Sequence, residues 1–314
     1  GRVFPLTLSP PDNGSNDGLA KWISDNRFSV DSLLRRHKAI LLRGHGLATA
    51  QDFHEVIEAT GWAPMDYVGG AAVRTQITPR VFTANESPAS ENIPFHHEMA
   101  QTPDPPTHLF FFCETAPPVG GQVIVVLLNV YIRAAVATAQ SLVYLYFVPQ
   151  IQYVRVMPEE DDPSSAIGRG WKSTFLCTER AVAEEKLRAL GSTWKWLPNG
   201  DLETTTAVVP AVREDNNGKF RSMKKTFFNS MVAAYTGWND SRNSGSTAVR
   251  FSDGTFIDKT LMDEAVRVMQ EICVAFTWEP GDCLILDNRT TMHSRRPFEG
   301  QRRILAGLAR DHDH

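Results

Sequence analysis

Short unbroken apolar runs alternate with polar, turn-rich stretches along most of this chain. Ala39-Ile40-Leu41-Leu42-Arg43 ends at Gly44, and Leu109-Phe110-Phe111-Phe112-Cys113 and Asp282-Cys283-Leu284-Ile285-Leu286-Asp287 have the same character. Apolar runs this short, with no polar alternation, predict strands covered on both faces. Helical spacing is rarer. Residues 49–59 place Phe53, Val56 and Ile57 on one face, and residues 261–276 do so with Leu261, Ala265, Val268, Met269 and Ile272, the pattern of amphipathic helices. Residues 19–36 carry two shorter helical patterns.

The intervening stretches read as loops. Residues 61–90, rich in Gly, Pro and Thr, predict one long loop, and residues 158–173 predict a lid or substrate-contacting segment. Within the latter, Arg169, Lys172 and the acid run Glu159 to Asp162 read as solvated loop charges. Residues 1–18, rich in Pro, Asn and Ser, predict a loose N-terminal segment. Many strands, few regular helices and no internal repeat fit a mainly β protein: a double-layered β-barrel, or jelly roll, with flanking α-helices. With no Gly/Ser linker to divide it, 1–314 reads as a single domain.

Composition narrows the function classes. The 314 residues carry 32 Lys+Arg against 36 Asp+Glu, a net charge of −4 with no basic excess to grip a nucleic acid, so no nucleic-acid partner is expected. Cys113, Cys177, Cys273 and Cys283 match neither a zinc spacing nor a disulfide framework. They suit a reducing compartment, and the expected location is cytoplasmic, with organelle import left open. Between Val123 and Val148 the only charge is Arg133. That length would suffice for a membrane span, but its start, 123–128, is β-branched and reads as a core strand, with an apolar helix over 129–145. No membrane span is expected. A helix without a charged outer face points to a buried contact, here a homodimer contact through 129–145.

The candidate chemistry lies in Phe95-His96-His97-Glu98-Met99-Ala100 and in Asp287-Asn288 followed by His293. On a strand, residues i and i+2 share a face, so His96 and Glu98 can hold one metal ion while His97 points elsewhere. Two imidazoles and one carboxylate are the donor set of the facial triad that holds Fe(II) and leaves other coordination positions open. Ten residues past His293, Arg303 is placed to clamp a carboxylate with a forked pair of hydrogen bonds, its neighbour Arg302 taking the solvent-facing role. A zinc hydrolase built on the same two His and one Glu is a weaker reading, because it gives Arg303 no task.

These segments resemble the Fe(II)/2-oxoglutarate-dependent dioxygenases of the taurine dioxygenase and clavaminate synthase group, in particular its plant clavaminate synthase-like members. Residues 95–100 fit that group's F-H-x-E-M-A motif; Asp287-Asn288, His293 and Arg302-Arg303-Ile304-Leu305 fit its C-terminal block; Gly120-Gly121-Gln122 fits its G-G-x-T turn. Phe228-Asn229-Ser230 and Val68-Gly69-Gly70 resemble plant-subgroup segments, and the similarity runs from about Leu41 to Leu308. The resemblance implies a double-stranded β-helix core, iron held by His96, Glu98 and His293, and 2-oxoglutarate with its far carboxylate on Arg303. It also implies use of O2 and oxidation, most simply hydroxylation, of a C–H bond of a small-molecule substrate with release of succinate and CO2. Asn85, His97 and Asn229 are the expected substrate contacts. Two positions depart from the group's pattern. Val123 stands where the turn usually has Thr, and Gly307 stands where taurine enzymes place a sulfonate-binding Arg. Val123 motivates the alternative of a catalytically impaired metal- or ligand-binding member of the same fold.

Overall fold

A computed structural model describes residues 3–10, 18–84, 87–127, 150–215 and 224–311. Two sheets face each other at its centre. The larger runs in the order Leu6–Leu8, Ala39–Leu42, Cys283–Asp287, His108–Thr115, Arg303–Arg310, Val81–Thr83, Gln76–Thr78, with Ala63–Pro64 also on Arg303–Arg310. The smaller has the order Val274–Phe276, Val123–Leu127, Thr291–Arg295, Ile93–His96. The strongly apolar runs form the middle of the larger sheet, because both of its faces are covered. Ile40, Leu42, Phe110, Phe112, Ile285 and Leu305 pack outward against the N-terminal helices with Phe53, Val56 and Ile57. Their alternates Leu41, Leu109, Phe111, Leu284 and Ile304 pack inward with Val123 and Val125 of the smaller sheet. The far side of that sheet, with Ile124, Val126 and Met292, meets the helices Met231–Gly237 and Lys259–Ile272 through Met231, Leu261, Ala265, Val268 and Met269. The result is the jelly-roll core with helices outside.

Local chemistry explains most boundaries. The Ala50–Thr60 helix starts at Thr49, which forms a reciprocal capping box with Asp52, and stops at Gly61 in the left-handed region. The helical pattern read over 261–276 divides in two. The helix is Lys259–Ile272, started by Asp258, whose side chain accepts from the Thr260 amide. Val274–Phe276 is a strand paired with Val123–Val125, because edge pairing to an existing sheet outweighs the weak helix propensity of Val and Phe.

Three expectations need correction. Part of the loose N-terminal segment is a strand: Leu6–Leu8 pairs in parallel with Ile40–Leu42. The 61–90 stretch is not one long loop, since Gln76–Thr78 and Val81–Thr83 form a hairpin on the larger sheet. Arg169 is not a solvated charge. It is buried and donates to the carbonyls of Tyr67, Gly70 and Ser173, pinning the 158–173 segment against residues 67–70. The apolar segment 129–145, expected to meet a second copy of the chain, lies outside the described residues. Among the described residues, no helix is long and apolar enough to cross a membrane.

Candidate metal centre and active-site cavity

The Ile93–His96 and Thr291–Arg295 strands are antiparallel neighbours, and His96 and His293 are direct partners in the register. Direct partners bring their side chains together on one face, and the two imidazole centroids lie 4.2 Å apart. Ile93–His96 is an edge strand, where Pro94 does no harm by lacking an N–H, and the Pro94 carbonyl is free to accept from His96 Nδ1 at 2.9 Å. That bond puts the proton on Nδ1 and leaves the Nε2 lone pair facing the cluster.

Glu98 follows the strand end and is fixed through its backbone. The Asn288 side chain accepts from the Glu98 amide at 3.0 Å and donates to the Glu98 carbonyl at 3.1 Å and the Pro106 carbonyl at 2.7 Å. His293 Nε2 lies 3.9 Å from Glu98 Oε2, and its Nδ1 is buried without a hydrogen-bond partner. One ligand atom from each of His96, Glu98 and His293 falls within 4.8 Å of the others. Burial lowers the pKa of His96 and drives that of His293 far down. Both imidazoles are therefore neutral, the form that donates a lone pair to a metal.

Arg74 is a residue of this centre that the motif analysis did not single out. Its Nη2 donates to Glu98 Oε2 at 2.8 Å, and its guanidinium lies over the rings of Tyr67 and Phe82 at 4.2 and 5.0 Å. It comes from an irregular stretch with no periodic pattern, so nothing in its sequence surroundings marks it. Beside this group opens a cavity of ≈ 780 Å³, lined among others by Tyr67, Arg74, His96, His97, Glu98 and Trp238.

The expected carboxylate clamp is placed elsewhere. Arg303 points out of the barrel, its side chain 52% exposed and paired with Glu114 at 2.5 Å. Ile304, Ala306 and Leu308 face the space between the sheets. Arg302 falls in step with them, while Arg303 falls with the outward Leu305 and Ala309. The strand is irregular here, with a register shift between Arg303 and Ile304. The Arg302 guanidinium lies over the Phe298 ring, and its buried Nε has no partner. Burial, and then the nearby Arg295, bring its pKa down to about 10, still far above neutrality. Of the two neighbours, Arg303 is therefore the solvent-facing one and Arg302 the more buried. Gly307 is likewise outward, since a Cβ there would meet Ile57. The inward position is Ala306, which carries no charge either. Val123 is buried between the sheets with Phe111 and Ile304.

The expected substrate contacts fare differently. His97 lines the cavity, is buried on the Phe228 ring at 4.4 Å, and keeps an unpartnered Nε2 while Nδ1 meets the Asn229 carbonyl. Burial pushes its pKa down to about 3. Asn229 is committed to structure. Its side chain donates to the Ala211 carbonyl and accepts from the Met231 amide, starting the helix that follows. Asn85 lies outside the described residues.

The chain is similar to known proteins over nearly its whole length. The sequence model described as taurine catabolism dioxygenase TauD, TfdA family matches residues 3–309. A clavaminate synthase-like protein of Arabidopsis thaliana is 42% identical over 315 residues, 98% of this chain and 94% of that protein. PvcB of Pseudomonas aeruginosa, described as an Fe, α-ketoglutarate-dependent oxygenase from an isonitrile synthetic pathway, superposes with a TM-score of 0.52 at 15% identity, covering 99% of this chain and 88% of that one. A taurine dioxygenase of Burkholderia xenovorans superposes with a TM-score of 0.52 at 14% identity, covering 99% and 88%. At those identities the two structures establish the fold. The family model and the plant relative, each spanning nearly the whole chain, establish the lineage: this chain belongs to the TauD/TfdA family of Fe(II)- and 2-oxoglutarate-dependent dioxygenases.

Proposed function

We propose that the protein oxidises, by hydroxylation, a C–H bond of a small molecule held in the cavity beside His96. In this reading His96, Glu98 and His293 are the iron ligands, and Arg302 anchors the far carboxylate of 2-oxoglutarate. Iron and 2-oxoglutarate, when bound, supply the redox chemistry: O2 is reduced, the oxo acid becomes succinate and CO2, and one oxygen atom reaches the substrate.

The chain's own residues supply position and environment. The register pairing of His96 with His293 sets two neutral donors side by side, and Asn288 fixes the backbone of the third. A buried guanidinium without an acid is an unbalanced charge, and a bound carboxylate answers it. Arg302, whose buried Nε has no partner and which has no acid bonded to it among the described residues, comes nearer that description than Arg303, which is exposed and paired with Glu114. Val123 packs without a hydroxyl to offer, so the anchoring of the cosubstrate falls on Arg302.

The observation that carries the reading is the three-residue donor set, two members of which, His96 and Glu98, line a cavity large enough for a small molecule. Anaerobic titration of Fe(II) and then 2-oxoglutarate into the apo-protein tests it, through the weak visible charge-transfer band of the chelate. The band should form in the wild type and be absent in His96→Ala. A protein that binds iron yet never develops the band would support the catalytically impaired reading instead.

A further inference from the structure

Arg74 grips the carboxylate oxygen that faces another metal donor. Its Nη2 donates to Glu98 Oε2 at 2.8 Å, and the same Oε2 lies 3.9 Å from His293 Nε2. Both side chains of the pair are buried, at 6% and 5% exposure. A carboxylate buried without a cation is strongly destabilising, and in the metal-free protein Arg74 supplies that cation.

The guanidinium has no room to withdraw. It lies over the rings of Tyr67 at 4.2 Å and Phe82 at 5.0 Å, and Arg169 lies over the same Tyr67 ring at 4.8 Å. Gly70 lets that ring sit there, since a Cβ at that position would fall 2.0 Å from Tyr67 Cζ. Arg169 in turn is tied to the carbonyls of Tyr67, Gly70 and Ser173. Moving Arg74 off Glu98 therefore means dismantling this stack.

The surroundings are short of negative charge. Among the described residues Arg74 bonds no acid but Glu98, and the buried Arg169 bonds none. Arg155 behind it donates to the carbonyls of Ile167 and Arg169 and likewise bonds none. Asp162 and Asp240, at the cavity wall, are both taken by Arg242. A divalent ion thus enters a centre that already carries positive charge, and it must share its one carboxylate ligand with a guanidinium. Like charges this close in a buried site repel each other strongly.

We infer that Arg74 is the resident counter-ion of Glu98 and competes with the metal for it, stabilising the empty site and holding its metal affinity down. This rests on the reading of His96, Glu98 and His293 as the metal donors and adds to it how that site loads. Arg74 acts through Glu98 and does not touch the reacting atoms.

The test is Co(II) binding to the metal-free full chain, read by calorimetry and by the visible ligand-field spectrum, together with urea unfolding with and without Co(II). Arg74→Gln should bind Co(II) at least about tenfold more tightly than the wild type, a difference of about 1.4 kcal/mol, while Arg74→Lys should stay closer to the wild type. Metal-free Arg74→Gln should be less stable than the wild type, and saturation with Co(II) should reduce that deficit by the same factor of about ten or more in the folding equilibrium. Adding Glu98→Gln, which removes the orphaned carboxylate, should return the metal-free protein toward wild-type stability. Equal or weaker Co(II) binding by Arg74→Gln overturns the inference and leaves Arg74 as a group that only orients Glu98. If Arg74→Gln fails to fold, the double variant Arg74→Gln/Glu98→Gln decides. A folded double variant supports the counter-ion role; one that also fails assigns Arg74 to packing and overturns it. A wild type that binds no Co(II) overturns the reading of the metal centre itself, and this inference with it.

Discussion

Replacing Arg302 with Met should separate cosubstrate binding from stability. Arg302 is half-buried, its guanidinium Nε is buried with no partner, and burial together with Arg295 lowers its pKa to about 10. In the free protein it is a partly buried charge with no acid bonded to it among the described residues, so removing it should leave the melting temperature unchanged or raise it. In the 2-oxoglutarate complex the same change strips a desolvated carboxylate of its partner. Truncating one side of such a pair costs about 2–5 kcal/mol, or roughly 30-fold to several thousand-fold in Kd. Arg303→Met removes a pair that is half exposed, with a cost of about 0–1 kcal/mol in stability and a change in 2-oxoglutarate Kd below about threefold. Anaerobic titration of 2-oxoglutarate into each Fe(II)-loaded variant, with the chelate band as the signal, measures the affinities, and thermal unfolding of the metal-free proteins measures the other half. The reasoning is refuted if Arg303→Met loses the band while Arg302→Met binds normally.

Asn288→Ala removes three hydrogen bonds that hold Glu98 and Pro106; Fe(II) affinity should fall about 10- to 100-fold, as for other groups that orient a ligand, and a titration showing unchanged affinity would count against that positioning role. Val123→Thr puts a hydroxyl between the sheets and should tighten 2-oxoglutarate by about 0.5–1.5 kcal/mol, up to roughly tenfold in Kd; an unchanged Kd in the band titration would show that no carboxylate comes within reach of that position. His108, stacked on Trp62 at 3.8 Å, has its pKa pushed down to about 4, chiefly by burial. The folded state therefore binds fewer protons than the unfolded chain below the ordinary His value near 6.5. The His108 contribution should be constant above about pH 6.5 and lost at about 1.4 kcal/mol per pH unit from there toward pH 4. Urea unfolding of wild type and His108→Gln at pH 7 and 5.5 checks this, and equal pH slopes would exclude it.

Much of this protein was legible in its sequence because the relevant signals are local. A strand buried on both faces must be apolar throughout, so Leu109–Cys113 and Cys283–Leu286 show themselves without an alignment. The spacing of His96 and Glu98 and the block around Asp287, Asn288 and His293 carry their chemistry in the order of residues. The fold then brings those three donors within 4.8 Å of one another. The N-terminal strand escaped notice because three residues, Leu6–Leu8, are too few to show a period, and it exists only by pairing with Ile40–Leu42.

What tertiary structure alone decided is which way side chains point and what they meet. Arg302 and Arg303 are adjacent and chemically identical, and side chains alternate along a strand, so one step of register at its irregular start assigns one inward and the other to Glu114. Asn229 is polar and near the cavity, yet the turn into the following helix consumes both ends of its amide. Arg74 reaches Glu98 across 24 positions of chain because Tyr67 settles on Gly70 and holds the guanidinium in place. Sequence order specifies the donors of this centre through local spacing. The charges that surround it are set by contacts between distant segments, which exist only once the sheets and loops have packed.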